Sequence, residues 1–345
     1  MTDFNPGVTI VSTASINAET FFERYAGLVR QLEAHNIRVV LACGHESYNA
    51  ESAIFTMVDE LSVSKSTGLI VARPAGPMAA RGAIRDLTMV TDDKKALYDN
   101  NDVAIVNNPG FNVWLKRKDV IANLLPSDLQ PFTVVADKST VMEAINAVSS
   151  DRIIIKPVTG HASRGIIFGT KAEIARGLQD VALKDGKYLV SEMVDTSVGV
   201  PEMEIEGVHN VRALIIGTDV VYACARLARA SSPDILDDPK YHRFYDASVL
   251  PTGMQQVLAR TQKALSLLPG AAEATYAIDL MRGKNARGEV IDYVCEINRR
   301  PYRISSLDLR NGTSEDAIGL TWAARAWDKA EANLLVRLAN QFVAN

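Results

Sequence analysis

The sequence predicts an α/β protein in which an N-terminal parallel α/β unit precedes a part of α+β character. Three observations lead there. Short β-branched runs at 8–12 and 37–43 flank a stretch, 18–34, whose apolar residues Phe21, Phe22, Tyr25, Leu28, Val29 and Leu32 recur every three or four positions, the repeat of one helix side. A turn-forming cluster, Asn107-Asn108-Pro109-Gly110, then interrupts the chain. Beyond it strands dominate until a long helical pattern over 315–343 closes the sequence.

Further short apolar runs at 69–72 and 103–107 give the first unit four strands, with helices covering a buried sheet and a small-molecule site expected at the strand ends. After the interruption the patterns predict helix 113–125, strand 132–135, helix 139–148 and a buried strand over 152–156. A loop of small residues over 157–165 follows, then strand 166–168 and helix 172–183. The rest reads mainly as strands, at 188–194, 208–216, 220–227, 276–281 and 290–297. The expected division is 1–111, 112–190 and 191–345.

A chain of 345 residues has ample length to bury large cores, which excludes a small scaffold stapled by disulfides or metal. With 37 Lys and Arg against 41 Asp and Glu, the net charge of −4 offers no global positive field for a nucleic-acid backbone. The apolar runs fall far short of the roughly 20 residues that span a bilayer, so no membrane partner is expected. The amino terminus lacks a signal-peptide pattern, and Cys43, Cys224 and Cys295 show no disulfide or metal spacing, which fits a reducing cytoplasm. Apolar stretches in the first unit are compatible with a homodimer.

The chemistry-bearing residues begin with Tyr276-Ala277-Ile278-Asp279-Leu280-Met281 and, after a polar turn, Val290-Ile291-Asp292-Tyr293-Val294-Cys295-Glu296-Ile297-Asn298. Strand side chains alternate faces, so a hairpin brings Asp279, Glu296 and Asn298 onto one surface. Two carboxylates and an amide form an all-oxygen set suited to Mg²⁺ shared with substrate phosphates. The same segment also fits an amphipathic hairpin with a solvated acidic face, and Asp292, of equal parity, is a rival carboxylate. Next, Lys156 ends an apolar strand before a loop holding Gly160, Ala162, Ser163 and Gly165. Such a loop lets backbone N–H groups approach an anion beside a fixed positive charge, although ordinary glycine-rich turns look alike. The pattern is neither a Walker A loop nor GxGxxG. Finally, the run from Tyr188 to Val194 offers backbone groups to a base edge, or is a plain strand.

In this order the segments resemble the ATP-grasp superfamily, most closely its glutathione-synthetase and RimK-like carboxylate–amine ligases. The resemblance covers about 112–330 and rests on Ile155-Lys156-Pro157, the Gly160 to Gly165 loop, Glu192-Met193-Val194, Asp279 and Glu296-Ile297-Asn298. Asn210-Val211-Arg212 and the strand ending in Arg226 resemble two further strands of that family. The resemblance implies a pre-ATP-grasp α/β domain followed by a two-subdomain ATP-grasp fold. It further implies that Lys156 and Lys118, rather than Lys116, hold ATP phosphates; that Glu192, Met193 and Val194 receive adenine; and that Asp279, Glu296 and Asn298 bind two Mg²⁺ ions. Arg226 then faces the transferred phosphoryl group and Arg212 the phosphate or acyl group. Asn210 replaces the acidic residue usual at the ribose. The implied reaction passes through an acylphosphate that an amine attacks. Arg300 and Arg303, in a basic run after Asn298, could receive an anionic acid substrate or form surface ion pairs, and His161 reads as a loop histidine or a substrate contact. Residues 12–15 and 81–85 are further candidates for the acceptor. The same fold serves hydroxyl kinases and non-catalytic ATP-binding regulators, which remain alternatives.

Overall fold

The computed structural model describes residues 7–12, 18–43, 46–49, 54–57, 82–86, 103–106, 109–159, 165–180, 183–227, 240–299 and 319–340. The first unit contains β1 (Gly7–Ser12), α1 (Ala18–Ala34), β2 (Arg38–Cys43), β3 (Glu46–Asn49), β4 (Ile54–Met57), β5 (Gly82–Asp86) and β6 (Val103–Val106). β2, β1, β5 and β6 form a sheet in that order, parallel throughout, while β3 and β4 pair only with each other. The run at 69–72 lies outside the described residues, and the strand beside β1 is β5. α1 buries Tyr25, Leu28, Val29 and Leu32. It ends where Asn36 turns left-handed (φ 57°) and Ile37 N–H returns to Leu32 C=O at 3.1 Å, with the Ile37 and Leu32 side chains in one core.

Two antiparallel sheets follow. The chain runs through α2 (Pro109–Leu115), α3 (Lys118–Leu124), β7 (Thr133–Asp137), α4 (Val141–Ala147), β8 (Arg152–Pro157), β9 (Ile167–Thr170), α5 (Lys171–Asp180) and β10 (Lys187–Glu192). Strands β7, β10, β8 and β9 make the second sheet. Ile153, Ile155, Tyr188 and Val190 pack into a core with Val141, Ile145 and Ile174 of α4 and α5. By strand alternation Ile154, Lys156, Leu189 and Ser191 occupy the other face.

The third sheet has the order β13-β12-β11-β14-β15, made by β11 (His209–Ile216), β12 (Asp219–Leu227), β13 (Lys240–Tyr245), β14 (Thr275–Lys284) and β15 (Val290–Asn298). α6 (Thr252–Leu265) lies between β13 and β14 in sequence, and α7 (Leu320–Asn340) is the last helix described. One sheet face, with Val211, Ala213, Ile215, Ile278 and Leu280, packs on Met254 and Leu258 of α6 and on Phe111 and Leu115 of α2. The other face is divided along its strands. Leu214, Ile216, Tyr222, Cys224 and Ala277 lie under Trp327, Leu334 and Leu335 of α7 in a core that also contains Val8, Ile10 and Leu28 of the first unit. Further along the same strands this face becomes polar.

Several elements differ from the sequence expectation. The single helix expected at 113–125 is two short helices, α2 and α3, separated at Lys116 and Arg117, where Arg117 turns to grip Asp119 (2.9 and 2.7 Å). β13 and α6 have no counterpart among the predicted elements. The boundary expected between 190 and 191 falls inside β10, and residues 111–129 pack under the third sheet.

Candidate functional site

The polar patch is assembled by strand register. β14 and β15 pair Ala277 with Asn298 and Asp279 with Glu296; β11 sets Arg212 opposite Asp279; β12 sets Arg226 opposite Asn210. Residues opposite one another in a ladder share a face, so Asn210, Arg212, Arg226, Asp279, Glu296 and Asn298 gather on one surface from four adjacent strands. The register then shifts between Asp279 and Leu280, which lies opposite Val294 and leaves Cys295 as an extra residue. This bulge reverses the alternation of β15 and corrects the parity reading of Asp292. Asp292 sits on the opposite face, opposite Arg282, which binds it through Nε (2.8 Å) and Nη2 (3.0 Å) and also binds Glu202 (2.7 Å). The two carboxylates hold the Arg282 proton more tightly than usual.

A cavity of about 650 Å³ separates this patch from the inner face of the second sheet, which contributes Ile154, Lys156, Phe168, Leu189 and Ser191. Asp279, only 2 % exposed, lies among donors. Arg212 binds it through Nε–Oδ1 (2.7 Å) and Nη2–Oδ2 (2.8 Å), and Oδ2 also receives Arg226 Nη1 (3.1 Å) and Asn298 Nδ2 (3.0 Å). Asn210 Nδ2 stands 3.4 Å from the same oxygen, and its Oδ1 is buried without a hydrogen-bond partner. Glu296 is more open, and Lys118 Nζ at the start of α3 reaches it at 3.0 Å. Lys118 and Lys156 both line the cavity; Lys116 is not among its lining residues. Burial pushes the Cys224 thiol up to about 12 and raises that of Cys295, so neither supplies a thiolate near neutrality.

At one edge of the cavity the segment Glu192-Met193-Val194 links the two antiparallel sheets. Glu192 N–H donates to Phe132 C=O and Met193 N–H to Arg152 C=O (3.0 Å each), while Asp195 and Lys284 exchange backbone bonds of 3.2 and 2.9 Å. The Glu192 carboxylate accepts the Ala286 N–H in the β14–β15 turn. Among the described residues the Val194 N–H makes no hydrogen bond. Gly283 permits this seam: a Cβ there would lie 2.4 Å from Val194 Cγ1 and 2.6 Å from Asp195 C=O. The sequence reads Gly283 as the start of the polar turn 283–288, but it lies inside β14, and the demand for it comes from a segment almost 90 residues earlier in the chain. The Thr133–Ser191 hydroxyl pair (2.9 Å) on the cavity wall is unmarked in the sequence.

Gly160, Ser163, His161, Arg300 and Arg303 lie outside the described residues. Gly165 is described and takes φ +74°, a left-handed conformation that favours glycine. Among the described residues no group of three His, Cys, Asp or Glu side chains could hold a metal. The donor set of Asp279, Glu296 and Asn298 nonetheless fits Mg²⁺, a hard cation that takes one or two carboxylates and completes its shell with substrate phosphates and water. No described helix is long and apolar enough to cross a membrane.

No family model and no curated protein sequence matches the chain. Solved structures do match over nearly its whole length. VanG D-Ala:D-Ser ligase from Enterococcus faecalis superimposes with a TM-score of 0.58 at 12% identity, covering 97% of this chain and 100% of that one. The ATP-grasp ligase PsnB, complexed with minimal precursor, Mg and ADP, gives 0.54 at 14% identity, with 96% and 98% covered. A RimK domain ATP-grasp protein from Sphaerobacter thermophilus gives 0.52 at 13% identity, with 95% and 99% covered. The chain has the ATP-grasp fold.

Proposed function

We propose that this chain is an ATP-dependent ligase that joins a small carboxylic acid to an amine, forming an amide and releasing ADP and phosphate. The observation that carries the reading is the gathering of Asp279, Glu296, Asn298, Arg212 and Arg226 on one sheet face, across a cavity from Lys156. Structural neighbours that are ligases, one of them complexed with Mg and ADP, support it.

In this reading Lys118 and Lys156 bind the ATP phosphates, with Gly160, Ser163 and Gly165 in the loop that covers them. The Glu192-Met193-Val194 segment receives adenine, where the uncommitted Val194 N–H suits a ring-nitrogen acceptor. The orphan Oδ1 of Asn210 suits a ribose hydroxyl donor. Asp279, Glu296 and Asn298 would hold Mg²⁺, two ions by the resemblance, which neutralises charge on the phosphate oxygens. An oxygen of the substrate carboxylate attacks the γ-phosphorus, and the bond to the ADP oxygen breaks. The amine then attacks the acyl carbon of the acylphosphate and gives up a proton to solvent, and phosphate leaves with the C–O bonding pair. Arg226 meets the charge on the transferred phosphoryl oxygens and Arg212 that on the phosphate or acyl oxygens; no nucleophilic side chain is needed. The first unit acts as the pre-ATP-grasp domain that helps present the acceptor, and Arg300 and Arg303 receive a second carboxylate of the acid.

The test is phosphate release from Mg²⁺-ATP against amino acids and short dicarboxylic acids, singly and in pairs, with Glu296→Ala as blank. Release that requires an acid and an amine together, and is lost in the variant, is expected. Release with a single hydroxyl compound would make the protein a kinase, and tight ATP binding without turnover on any pair would make it a binding protein.

A further inference from the structure

The inner face of the second sheet changes character along its strands. Lys156 stands beside Leu189, and two residues on, about 7 Å toward the Glu192-Met193-Val194 segment, Ile154 stands beside Ser191. β7 sets Thr133 on the other side of Ser191, and all three of these residues line the cavity. A hydroxyl has one proton to give. Thr133 gives its proton to Pro131 C=O (2.8 Å), so in the 2.9 Å bond between the two hydroxyls Ser191 is the donor. Ser191 Oγ is thereby left as an acceptor only, and among the described residues nothing donates to it. The relay resists reversal. Turning it round would strip Pro131 C=O, on a buried residue, of its one donor among the described residues. Three positions after Ser191, the Val194 N–H is a donor without an acceptor among the described residues.

We propose that Ser191 is a base-reading residue. Its hydroxyl, fixed as an acceptor by Thr133 and Pro131, takes an N–H from the exocyclic amine of a 6-aminopurine, while the Val194 N–H meets the neighbouring ring nitrogen. This rests on the nucleotide-binding reading above and adds to it the choice of base. An acceptor and a donor on one edge of the cavity match adenine. A 6-oxopurine presents the inverse pair, a carbonyl and a ring N–H, so its carbonyl meets a lone pair and its N–H meets another N–H.

Calorimetric titration with Mg²⁺-nucleotides tests this without turnover. The probes are ADP, inosine diphosphate, whose base carries the inverse pair, and purine riboside diphosphate, whose base lacks the exocyclic group. The wild-type protein is expected to bind ADP at least about tenfold more tightly than inosine diphosphate. Ser191→Ala should lose about three- to tenfold in ADP affinity and keep its affinity for purine riboside diphosphate, a split that a merely structural role would not produce. Thr133→Val frees the Ser191 hydroxyl to turn and donate, so it should narrow the preference for ADP over inosine diphosphate by about threefold or more. Ser191→Ala with no loss, or with equal losses for ADP and purine riboside diphosphate, overturns the proposal. If Ser191→Ala does not fold, an unchanged preference in Thr133→Val overturns it. Failure of all three nucleotides to bind the folded wild-type protein refutes the nucleotide reading itself, whereas ADP that binds without these differences leaves that reading standing and removes Ser191 from it.

Discussion

The buried charge cluster predicts an ordered set of stability losses. Asp279→Asn leaves two guanidiniums, only 11% and 14% exposed, without their shared counter-charge. Removing one member of a buried ion pair costs about 3–5 kcal/mol. Arg212→Met removes two charge-assisted hydrogen bonds but leaves Asp279 with Arg226 and Asn298, so its cost is about 2–3 kcal/mol. Arg226→Met takes one longer bond from Asp279, a loss of about 1–2 kcal/mol at that carboxylate. Because Asp279 and Arg212 share one interaction, the double variant should be more stable than the summed singles predict, by about 2 kcal/mol or more. Urea unfolding followed by tryptophan fluorescence reads this directly, since the fully buried Trp327 covers the same sheet face. Salt should barely change the order, because the cluster is shielded from solvent ions. Additive losses, or Arg226→Met costing more than Asp279→Asn, would refute the account of Asp279 as the hub.

Other consequences follow from the same geometry. Gly283→Ala forces a methyl against Asp195 C=O and should lower stability by about 1–3 kcal/mol while weakening ADP binding, both measurable by thermal shift with and without ADP. Burial lowers the His209 pKa, with smaller opposing effects from the Gly207 and Thr196 backbone and from Asp292, and a reinforcing one from Arg282. The unfolded chain therefore binds a proton below about 6.5 that the native protein refuses, and stability falls from there toward the lower native value. His209→Asn should flatten that slope by up to about 1.4 kcal/mol per pH unit in unfolding titrations between about pH 5 and 7. With both thiols raised, Cys224 and Cys295 should resist alkylation at about pH 8 until the protein unfolds, as mass mapping would register. Asp292→Asn should leave Mn²⁺ uptake with ADP unchanged, whereas Glu296→Gln should weaken it; equal losses would mean that the bulge does not divide their roles.

Much of this organisation is legible in the sequence because strand alternation and helical spacing are local signals. The pairing of Asp279 with Glu296 and Asn298 needs only a hairpin and its parity. Parity fails at Asp292 because a bulge is a property of two strands together: one extra residue, Cys295, turns an apparent ligand into a structural partner of Arg282. α6 carries a readable signal in Met254, Val257, Leu258, Thr261 and Leu265 at spacings of three and four, although no predicted element covers it. β5 is short and contains Gly82, Arg85 and Asp86, so no apolar run announces it; its place beside β1 is a matter of tertiary pairing. The cage around Asp279 was hidden for a similar reason. Sequence spacing brings arginines to the face but does not show that they converge on one carboxylate.

The division of the third sheet also constrains how the cavity can change. α7 packs in a single core with α1, with Val8 and Ile10 of β1 and with the apolar half of the third sheet, so the first unit and the polar patch are joined through close-packed side chains. α2 and α3 are fixed to the opposite face of that sheet, which ties Lys118 to the same body as Glu296. The second sheet has its own core with α4 and α5. Its described ties to the third sheet near the cavity are polar: the Asp195–Lys284 backbone pair and the Glu192 carboxylate on Ala286. Lys156 therefore stands on the second sheet, and Arg212, Arg226 and Asp279 stand on the third, with Lys118 on a helix packed under it. A polyanion held between the two sheets therefore gains charged contacts from both sides of the cavity.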